Sequence, residues 1–383
     1  MPESTTDASS RTPLGAVAAL LITLGVLCAS TLLGHTPAVA APPRAAGTVV
    51  SVEPLPPEQM IAGASRSLRI EYWTADANGA PRLSSAALYL PHRPARTVVS
   101  WAHGANGLGD QCAPTVIGRP ARESAYFQTL LTSGFAVVAT DYIGLGTPGP
   151  AAFLDSVGEA NAVSDAVRAA RRIQSSIGSW IADGHSQGAH ATFNTAARGP
   201  ARVPEIRYLG AAATSFPPQV DALVPALTPT TPPLPIELTG LYVMALRGFA
   251  ITDPALHIEG HLTPLGTRLF DEIDSQCVTE INSRTKGIPT AALLRSALTD
   301  RETRAFQSYL RLPVNGIARP MFLGSGFHDE ILPFPTVLPV VAQLRANGVD
   351  ARFHGYDAGH DDIIDISRAD RVAFMRDLAA HAG

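Results

Sequence analysis

The chain has 383 residues, of which 46% are apolar and 16% are charged. This length and composition allow one large α/β domain or two ordinary ones. The formal net charge is −4, and the basic residues are scattered rather than grouped with aromatic ones. This pattern lacks the charge distribution of a nucleic-acid-binding protein, so we expect no nucleic-acid partner.

The N-terminal region is predicted to direct export. An apolar segment at residues 14–34 is followed by A-V-A at 38–40, a pattern that predicts a cleaved signal peptide over residues 1–40. The leader starts with acidic residues, Glu3 and Asp7, and its apolar run is long enough to cross a bilayer, so an uncleaved membrane anchor is the alternative. We therefore expect a secreted protein or a membrane-anchored, extracytoplasmic one.

The cysteine count agrees with export. Cys28 lies in the leader, which leaves Cys112 and Cys277 in the folded part. An even pair of cysteines in an oxidising compartment predicts a disulfide. Two buried free thiols are the alternative.

The first folded segments are predicted to be extended. Residues 41–57 are rich in proline and alanine and are predicted to form a tether with one early strand. Residues 68–74 and 83–90 alternate between apolar and polar side chains on either side of Asn78-Gly79, which predicts a β-hairpin.

The next segments are predicted to be short buried strands that alternate with helices. Residues 97–101, 135–141 and 179–183 are short apolar runs, and residues 158–173 have apolar side chains at helical spacing. Short buried strands that alternate with helices predict a mostly parallel central sheet with helices on both faces.

A long insertion interrupts this alternation. After a predicted strand at 209–215, residues 216–312 are first rich in proline and then mainly helical, which is longer than an ordinary connection. We interpret it as a helical cap over the strand ends, where open α/β sheets bind ligands; a helical subdomain without substrate contact is the alternative. Alternation then resumes, with predicted strands at 320–326 and 351–356 and helices at 337–347 and 362–380.

The predicted core therefore comprises residues 58–215 and 313–383. Within it, residues 184–188 read G-H-S-Q-G, directly after the predicted strand at 179–183 and before an alanine-rich helix that starts at Ala189. This is the strand–turn–helix context of a nucleophile elbow. The glycines allow a tight turn that exposes Ser186 at the start of the helix, so Ser186 is the candidate nucleophile.

A serine hydroxyl needs a base, and in this type of site the acid and the histidine follow the nucleophile along the chain. Asp329 follows the predicted strand at 320–326, and His360 follows the last strand. We therefore predict Asp329 as the acid and His360 as the base. Glu330 is the alternative acid.

Other histidines and acids could compete for these roles. His185 and His190 flank the serine, but the turn and the helix are expected to direct them away. A metal site formed by His354, His360 and the pair Asp361-Asp362 is the alternative. Because the spacing matches no common metal motif and the two aspartates suit a helix N-terminus, we expect no metal and no cofactor.

An oxyanion that develops at the substrate needs hydrogen-bond donors. The backbone N–H of Gln187, next to the nucleophile, is one candidate. The second is expected in H-G-A-N-G at residues 103–107, from Ala105 or, failing that, Gly104.

Four motifs in chain order resemble the secretory lipase family of the α/β-hydrolase superfamily. They are W-A-H-G-A-N-G with C-A-P in residues 101–114, A-T-D-Y-I-G-L-G in 139–146, G-H-S-Q-G in 184–188 and H-D-E-I-L-P in 328–333. The resemblance extends from about residue 50 to the C-terminus. It implies an α/β-hydrolase fold with an inserted helical cap, and a disulfide between the C-A-P segment and the cap that matches Cys112 and Cys277.

The resemblance also implies the roles of Ser186, Asp329 and His360, with Ala105 and Gln187 at the oxyanion. Many relatives carry threonine where this chain has Ala105, so a side-chain donor is missing there. A second, later disulfide of fungal members is also absent.

The expected activity is hydrolysis of lipid esters through an acyl-enzyme, by a monomer that touches lipid surfaces transiently. A short-chain carboxylesterase and an acyltransferase that uses cell-envelope lipids are alternatives within the same chemistry. A non-catalytic lipid-binding protein of the same fold is the alternative from another class.

Overall fold

The computed structural model describes residues 44–232 and 236–381. The predicted signal peptide or anchor, residues 1–40, lies outside these residues. No helix of the described ranges is long and apolar enough to cross a membrane.

The described residues form nine strands in one sheet. The strands are β1 (Val49–Pro54), β2 (Ala64–Ala75), β3 (Pro81–Pro91), β4 (Thr97–Ala102), β5 (Ala136–Ile143), β6 (Ser179–His185), β7 (Arg207–Thr214), β8 (Met321–Gly326) and β9 (Ala351–Tyr356). Their order is β1-β2-β3-β5-β4-β6-β7-β8-β9. The strands from β5 to β9 in this order pair in parallel, and β1, β2 and β3 pair antiparallel. The predicted mostly parallel sheet is confirmed.

The helices connect and cover these strands. They are α1 (Pro114–Ile117), α2 (Ala121–Thr132), α3 (Gly158–Ile173), α4 (Gln187–Arg202), α5 (Ile236–Thr252), α6 (Pro264–Glu272), α7 (Val278–Thr285), α8 (Asp300–Tyr309), α9 (Phe334–Ala346), α10 (Ile363–Ile366) and α11 (Arg368–Ala380). Several short 3-10 turns lie between them.

Helices pack on both faces of the sheet because successive strand residues point to opposite faces. On β4, Val98 belongs to the apolar cluster that includes residues of α3, α4 and α9. Its neighbour Val99 belongs to the cluster that includes residues of α2, α10 and α11. The core is therefore two apolar layers, one on each face of the sheet.

The parallel arrangement brings several loops to one edge. The loops that follow β4, β6, β8 and β9 all leave from the carboxyl ends of neighbouring parallel strands. In open α/β sheets this edge is where ligands bind. The predicted catalytic and oxyanion-hole residues all lie in these loops or directly after them.

The interval between β7 and β8 contains α5, α6, α7 and α8. Apolar side chains of these helices form a third cluster, which also contains Leu108, Leu145 and Phe153 from loops of the sheet domain. The interval therefore has its own apolar core and contacts the loops beside the predicted site. Its division from the core at residues 216 and 312 stays a prediction.

The one early strand predicted within residues 41–57 is β1, which pairs with β2 from Val49 to Pro54 and exposes most of its side chains. The prediction of a single closing helix over residues 362–380 needs correction. The predicted closing helix is divided between α10 and α11 at Ser367, whose hydroxyl donates to the carbonyl oxygen of Ile363 at 2.6 Å.

A buried ion pair joins the strand before the predicted nucleophile to α11. A nitrogen of Arg371 lies 2.5 Å from an oxygen of Asp183, and both side chains are fully buried. The hydroxyl of Tyr126 donates to the other oxygen of Asp183 at 2.6 Å, and the Arg371 guanidinium lies 4.2 Å from the Tyr126 ring centre. Asp183 precedes Gly184 of the G-H-S-Q-G turn, so this pair fixes the start of that turn.

We expect Arg371→Met to lower the free energy of unfolding by about 3–5 kcal/mol, because it leaves a buried carboxylate without its cation. Urea denaturation of the purified protein measures this loss. Arg376→Met is the matched control, since Arg376 is exposed on the same helix, and its effect should stay within about 0.5 kcal/mol. Equal unfolding midpoints for the two variants would contradict a stabilising role for the pair.

Candidate active site

Ser186 lies in a strained turn between β6 and α4. Its backbone has φ 56° and ψ −117°, a region that non-glycine residues rarely adopt. The flanking glycines have close backbone neighbours: a Cβ on Gly184 would overlap the carbonyl of Gly188, and one on Gly188 would overlap that of Ala102. The glycines therefore let the turn pack against β4, and the turn presents Ser186 half-buried at the carboxyl edge of the sheet.

The structure brings the three predicted triad side chains together. The Nε2 atom of His360 lies 2.9 Å from the Oγ atom of Ser186. The Nδ1 atom of the same ring lies 3.0 and 2.9 Å from the two carboxylate oxygens of Asp329. The histidine is thus held between an acid and a hydroxyl, the geometry in which an imidazole can remove a proton from a serine.

Asp329 is oriented by its own loop. Its Oδ1 atom accepts backbone hydrogen bonds from Ile331 at 3.1 Å and Leu332 at 2.8 Å. Burial by itself would raise the pKa of Asp329, but the hydrogen bond and charge of His360, the Leu332 amide and the Ser215 hydroxyl together lower it below its usual value. The carboxyl group is therefore ionised at neutral pH, as an acid that orients an imidazole must be.

The alternative acid and the two alternative histidines do not take the places of Asp329 and His360. Glu330 is exposed. His190 is fully buried and its Nε2 lies 3.1 Å from the carbonyl oxygen of Leu310. The ring of His185 lies beside that of His360, with ring centres 4.9 Å apart and planes inclined at 56°, and burial lowers the pKa of His185 to about 4. His185 is thus neutral at neutral pH and places no second positive charge beside His360.

One group of possible metal ligands occurs among the described residues. Ligand atoms of His185, His360 and Asp361 lie within 4.8 Å of one another, whereas His354, which the sequence placed in this set, stacks on Phe322. Both ring nitrogens of His360 already have partners in Asp329 and Ser186. An ion at this position would have to displace one of those contacts.

The candidate oxyanion donors lie beside Ser186. Ala105, Ser186 and Gln187 line the same cavity, and neither the Ala105 nor the Gln187 amide donates a backbone hydrogen bond within the described part of the chain. The fallback residue, Gly104, also lies close, since a Cβ built on it would be 3.6 Å from the Cβ of Ser186. The hydroxyl of Tyr142 donates to the carbonyl oxygen of His103 at 2.9 Å and so supports this loop.

The predicted disulfide is confirmed. Cys112 and Cys277 are bonded, which links the loop after β4 to the segment before α7. Next to the bridge, Val278 donates to the carbonyl of Asn106 at 2.8 Å and Leu108 donates to that of Gln276 at 3.0 Å. The loop that carries Ala105 is therefore held by the inserted helices through covalent and backbone contacts.

An apolar cavity of about 190 Å³ opens at Ser186. Its other lining residues come from the loop before α3, from the inserted segment and from the Asp329 loop: Phe153, Leu154, Pro217, Val220, Leu223, Val224, Leu227, Leu238, Leu241, Tyr242, Ala245, Phe306, Leu310, Ile331 and Leu332. Nearly all of these side chains are apolar, whereas Ser186 and Gln187 are polar. The arrangement can hold an apolar chain with its reacting end at the serine.

Two neighbours of the triad were not predicted. Ser215 directly follows β7 with φ 43°, and its hydroxyl lies within hydrogen-bonding distance of the His360 carbonyl oxygen, at 3.1 Å, as well as of the Asp329 carboxylate. Glu159, at the start of α3, is 2% exposed and accepts a hydrogen bond from the side chain of Gln187 at 2.6 Å. Acidic residues are common in the first turn of a helix, where they interact favourably with the helix dipole. The position of Glu159 in the sequence therefore gave no indication of its contact with Gln187.

Solved structures of a lipase and an esterase superpose on this chain. Candida antarctica lipase A in its closed state superposes with a TM-score of 0.69 at 20% identity, over 87% of this chain and 82% of that chain. The rice cell wall degrading esterase LipA from Xanthomonas oryzae superposes with a TM-score of 0.68 at 18% identity, over 87% of this chain and 98% of that chain. These likenesses show the α/β-hydrolase fold and so confirm the predicted fold class.

Relatives also match by sequence. Lipase A of Moesziomyces aphidis is 22% identical over 82% of this chain and 71% of its own length. A secreted triacylglycerol lipase of Malassezia furfur is 25% identical over 80% of this chain and 85% of its own length. The model of the secretory lipase family matches residues 121–337, more than half of the chain, which confirms the resemblance of the four motifs. The chain therefore belongs to the secretory lipase family, and it is an extracellular, lipase-like hydrolase of carboxylic esters.

Proposed function

We propose that this enzyme cleaves esters of long acyl chains through a Ser186–His360–Asp329 triad. The observation that carries the proposal is the 2.9 Å contact between Ser186 Oγ and His360 Nε2 at the mouth of an apolar cavity. His360 takes the proton of Ser186 as the hydroxyl attacks the ester carbonyl, and then delivers it to the leaving alcohol. Water, activated in turn by His360, releases the carboxylic acid from the acyl-enzyme.

Each attack creates a negative oxygen, for which backbone donors are needed. The N–H groups of Gln187 and Ala105 are the proposed donors. Gln187 is the first residue of α4, where the N–H groups have no partner within the helix and where the helix dipole favours negative charge. Ala105 is held beside the serine by the contacts of its loop with Gln276 and Val278.

The cavity supports a lipidic acyl group over a small polar one. Its wall is built mainly from leucine, valine and phenylalanine side chains, and Leu223 at this wall is 59% exposed. We also propose that the protein contacts lipid surfaces transiently through this exposed leucine. We further propose that the enzyme acts as a monomer. A short-chain carboxylesterase and an envelope-lipid acyltransferase remain the alternatives within this chemistry.

A fluorophosphonate probe and a series of p-nitrophenyl esters from acetate to palmitate test the proposal. We expect stoichiometric labelling at Ser186, located by peptide mass spectrometry, and a kcat/KM that rises with chain length. Absence of labelling would favour a non-catalytic lipid-binding protein. An optimum at acetate would favour the short-chain esterase, and transfer to an added alcohol in preference to water would favour the acyltransferase.

Narrowing the cavity should shift the chain-length optimum. Ala245 is buried and lines the cavity from α5, so Ala245→Leu is expected to exclude the distal part of a long chain. The ratio of kcat/KM for short esters to kcat/KM for long esters should rise about 10- to 100-fold, the range expected when a few methylene groups can no longer bind in an apolar pocket. Ala250→Leu, at another buried position of α5 that does not line the cavity, is the control for overpacking. Identical chain-length profiles for the two variants would contradict this placement of the acyl chain.

A further inference from the structure

The carboxyl group of Glu159 lies behind the wall of the cavity. The residue belongs to the first turn of α3 and is 2% exposed, and it is absent from the residues that line the cavity at Ser186. Placing a carboxylate in such surroundings costs free energy unless hydrogen bonds compensate it. The partners of this carboxylate therefore indicate what its burial serves.

The carboxylate contacts two residues that line the cavity and one histidine that contacts a third. Its Oε1 atom accepts hydrogen bonds from the side-chain amide of Gln187 at 2.6 Å and from the backbone N–H of Leu154 at 2.9 Å. Its Oε2 atom faces Nδ1 of His190 at 3.7 Å, and the other nitrogen of that ring contacts the carbonyl of Leu310 at 3.1 Å. Gln187, Leu154 and Leu310 all line the cavity.

Two of these partners need to be held in place. Leu154 has φ 63°, a left-handed conformation that costs a leucine free energy and that persists only when its surroundings enforce it. Gln187 carries the proposed oxyanion donor on its backbone, and a donor stabilises a transition state only when it is aimed at the developing charge in advance. One carboxylate oxygen constrains both residues.

We propose that Glu159 is a positioning residue, which aims the Gln187 amide at the oxyanion and fixes Leu154 in the wall of the acyl cavity. The proposal rests on the proposed function of the Gln187 amide. Glu159 touches neither the reacting atoms nor the acyl chain, so it acts only through these two neighbours. Loss of its acceptor should therefore weaken binding of the transition state more than binding of the substrate.

Glu159→Met removes the acceptor and keeps a side chain of similar length. For p-nitrophenyl butyrate we expect kcat to fall about 10- to 100-fold, less than the roughly 100- to 1000-fold loss on removal of a whole oxyanion donor, while KM changes less than about threefold. The inhibition constant of a trifluoromethyl ketone, whose adduct carries the oxyanion, should rise by the same factor as kcat falls. Glu159→Gln should recover most of the lost rate, because its amide oxygen can still accept both hydrogen bonds.

Glu302→Met is the matched control. Glu302 is 8% exposed at the start of α8, and its oxygen accepts from the Thr299 amide at 2.6 Å and contacts His261 at 3.0 Å. Neither partner lines the cavity. This variant should lose stability without a change in kcat or in inhibition by the ketone.

Gln187→Leu keeps Glu159 and removes only the hydrogen bond between the two side chains. This variant therefore tests the positioning role of Glu159 if Glu159→Met does not fold. We expect a similar fall in kcat, and the double variant should be no slower than the slower single variant. A kcat for either single variant equal to that of Glu302→Met would overturn the proposal. Ser186→Ala in the same assay distinguishes failure of the proposed function from failure of this inference. If Ser186→Ala remains active, the proposed function is wrong. If it is inactive while Glu159→Met and Gln187→Leu keep full activity, only the role of Glu159 is wrong.

Discussion

Ser186→Ala is expected to lower kcat for a p-nitrophenyl ester by about 10⁶-fold, the size of effect seen when the nucleophile of a serine hydrolase is removed. The Oγ atom of Ser186 is the atom that His360 contacts at 2.9 Å, and alanine offers no atom to attack the ester. Because both residues carry a Cβ, the strained turn should cost alanine about as much as serine. Active-site titration with the fluorophosphonate probe, followed by steady-state kinetics, measures the loss.

Ser164→Ala is the matched control for this change. Ser164 is fully buried in α3, and its hydroxyl donates to the carbonyl of Ala160 at 2.7 Å, within its own helix. It should change stability slightly and leave kcat unaltered. If Ser186→Ala hydrolysed the ester at the rate of the Ser164→Ala enzyme, the nucleophile would have to be another residue.

Asp329→Asn is expected to lower kcat by about 10⁴-fold, as the same change does in other triads. The amide can still accept the loop hydrogen bonds of Ile331 and Leu332 through its oxygen. Its NH₂ group would then face Nδ1 of His360 and favour the tautomer that is protonated on Nε2. That tautomer cannot take a proton from Ser186.

Glu330→Gln is the control at the neighbouring acid, which is exposed. It should retain its rate, whereas a large loss in Glu330→Gln with activity preserved in Asp329→Asn would reverse the assignment of the acid. Rates of fluorophosphonate labelling should follow kcat in both variants, because labelling needs the same proton transfer from Ser186.

The lowered pKa of Asp329 adds a dependence on pH. A carboxyl whose pKa is lower in the folded than in the unfolded state stabilises the protein above its unfolded pKa, and the contribution is lost as pH falls through the folded value. The unfolded reference is near 3.8. Wild type should therefore exceed Asp329→Asn in unfolding free energy at pH 7, and the difference should shrink below this reference. A difference that is constant from pH 7 to pH 2 would contradict the ionised, hydrogen-bonded carboxylate.

The nucleophile, the acid and the base could be predicted from the sequence, because their positions depend on local patterns and on one rule of sheet topology. The glycines of residues 184–188 predict the turn at Ser186, since a Cβ would not fit there. Parallel strands end at a common edge, so side chains that follow them, such as Asp329 and His360, are expected to converge. Neither inference required knowledge of how the helices pack.

Long-range contacts between side chains outside the triad and the disulfide were beyond such reasoning. Asp183 and Arg371 are separated by 188 positions, and Glu159 and Gln187 by 28. Whether such pairs meet depends on the rotation of each helix over the sheet and on side-chain conformations, which the periodicity of one helix does not reveal. For the same reason the histidine beside His360 and Asp361 is His185 rather than His354.

The amino-acid sequence by itself therefore determined the parallel α/β core and the strained turn at Ser186, because these follow from strand periodicity and glycine sterics. It favoured a disulfide between Cys112 and Cys277 over two free thiols, since an even pair of cysteines in an exported protein usually forms a bond. The tertiary structure alone decided the distances within the triad, the apolar wall of the cavity and the buried contact of Glu159 with Gln187. Those features depend on packing between segments far apart in the chain, where many arrangements share one pattern of polar and apolar residues.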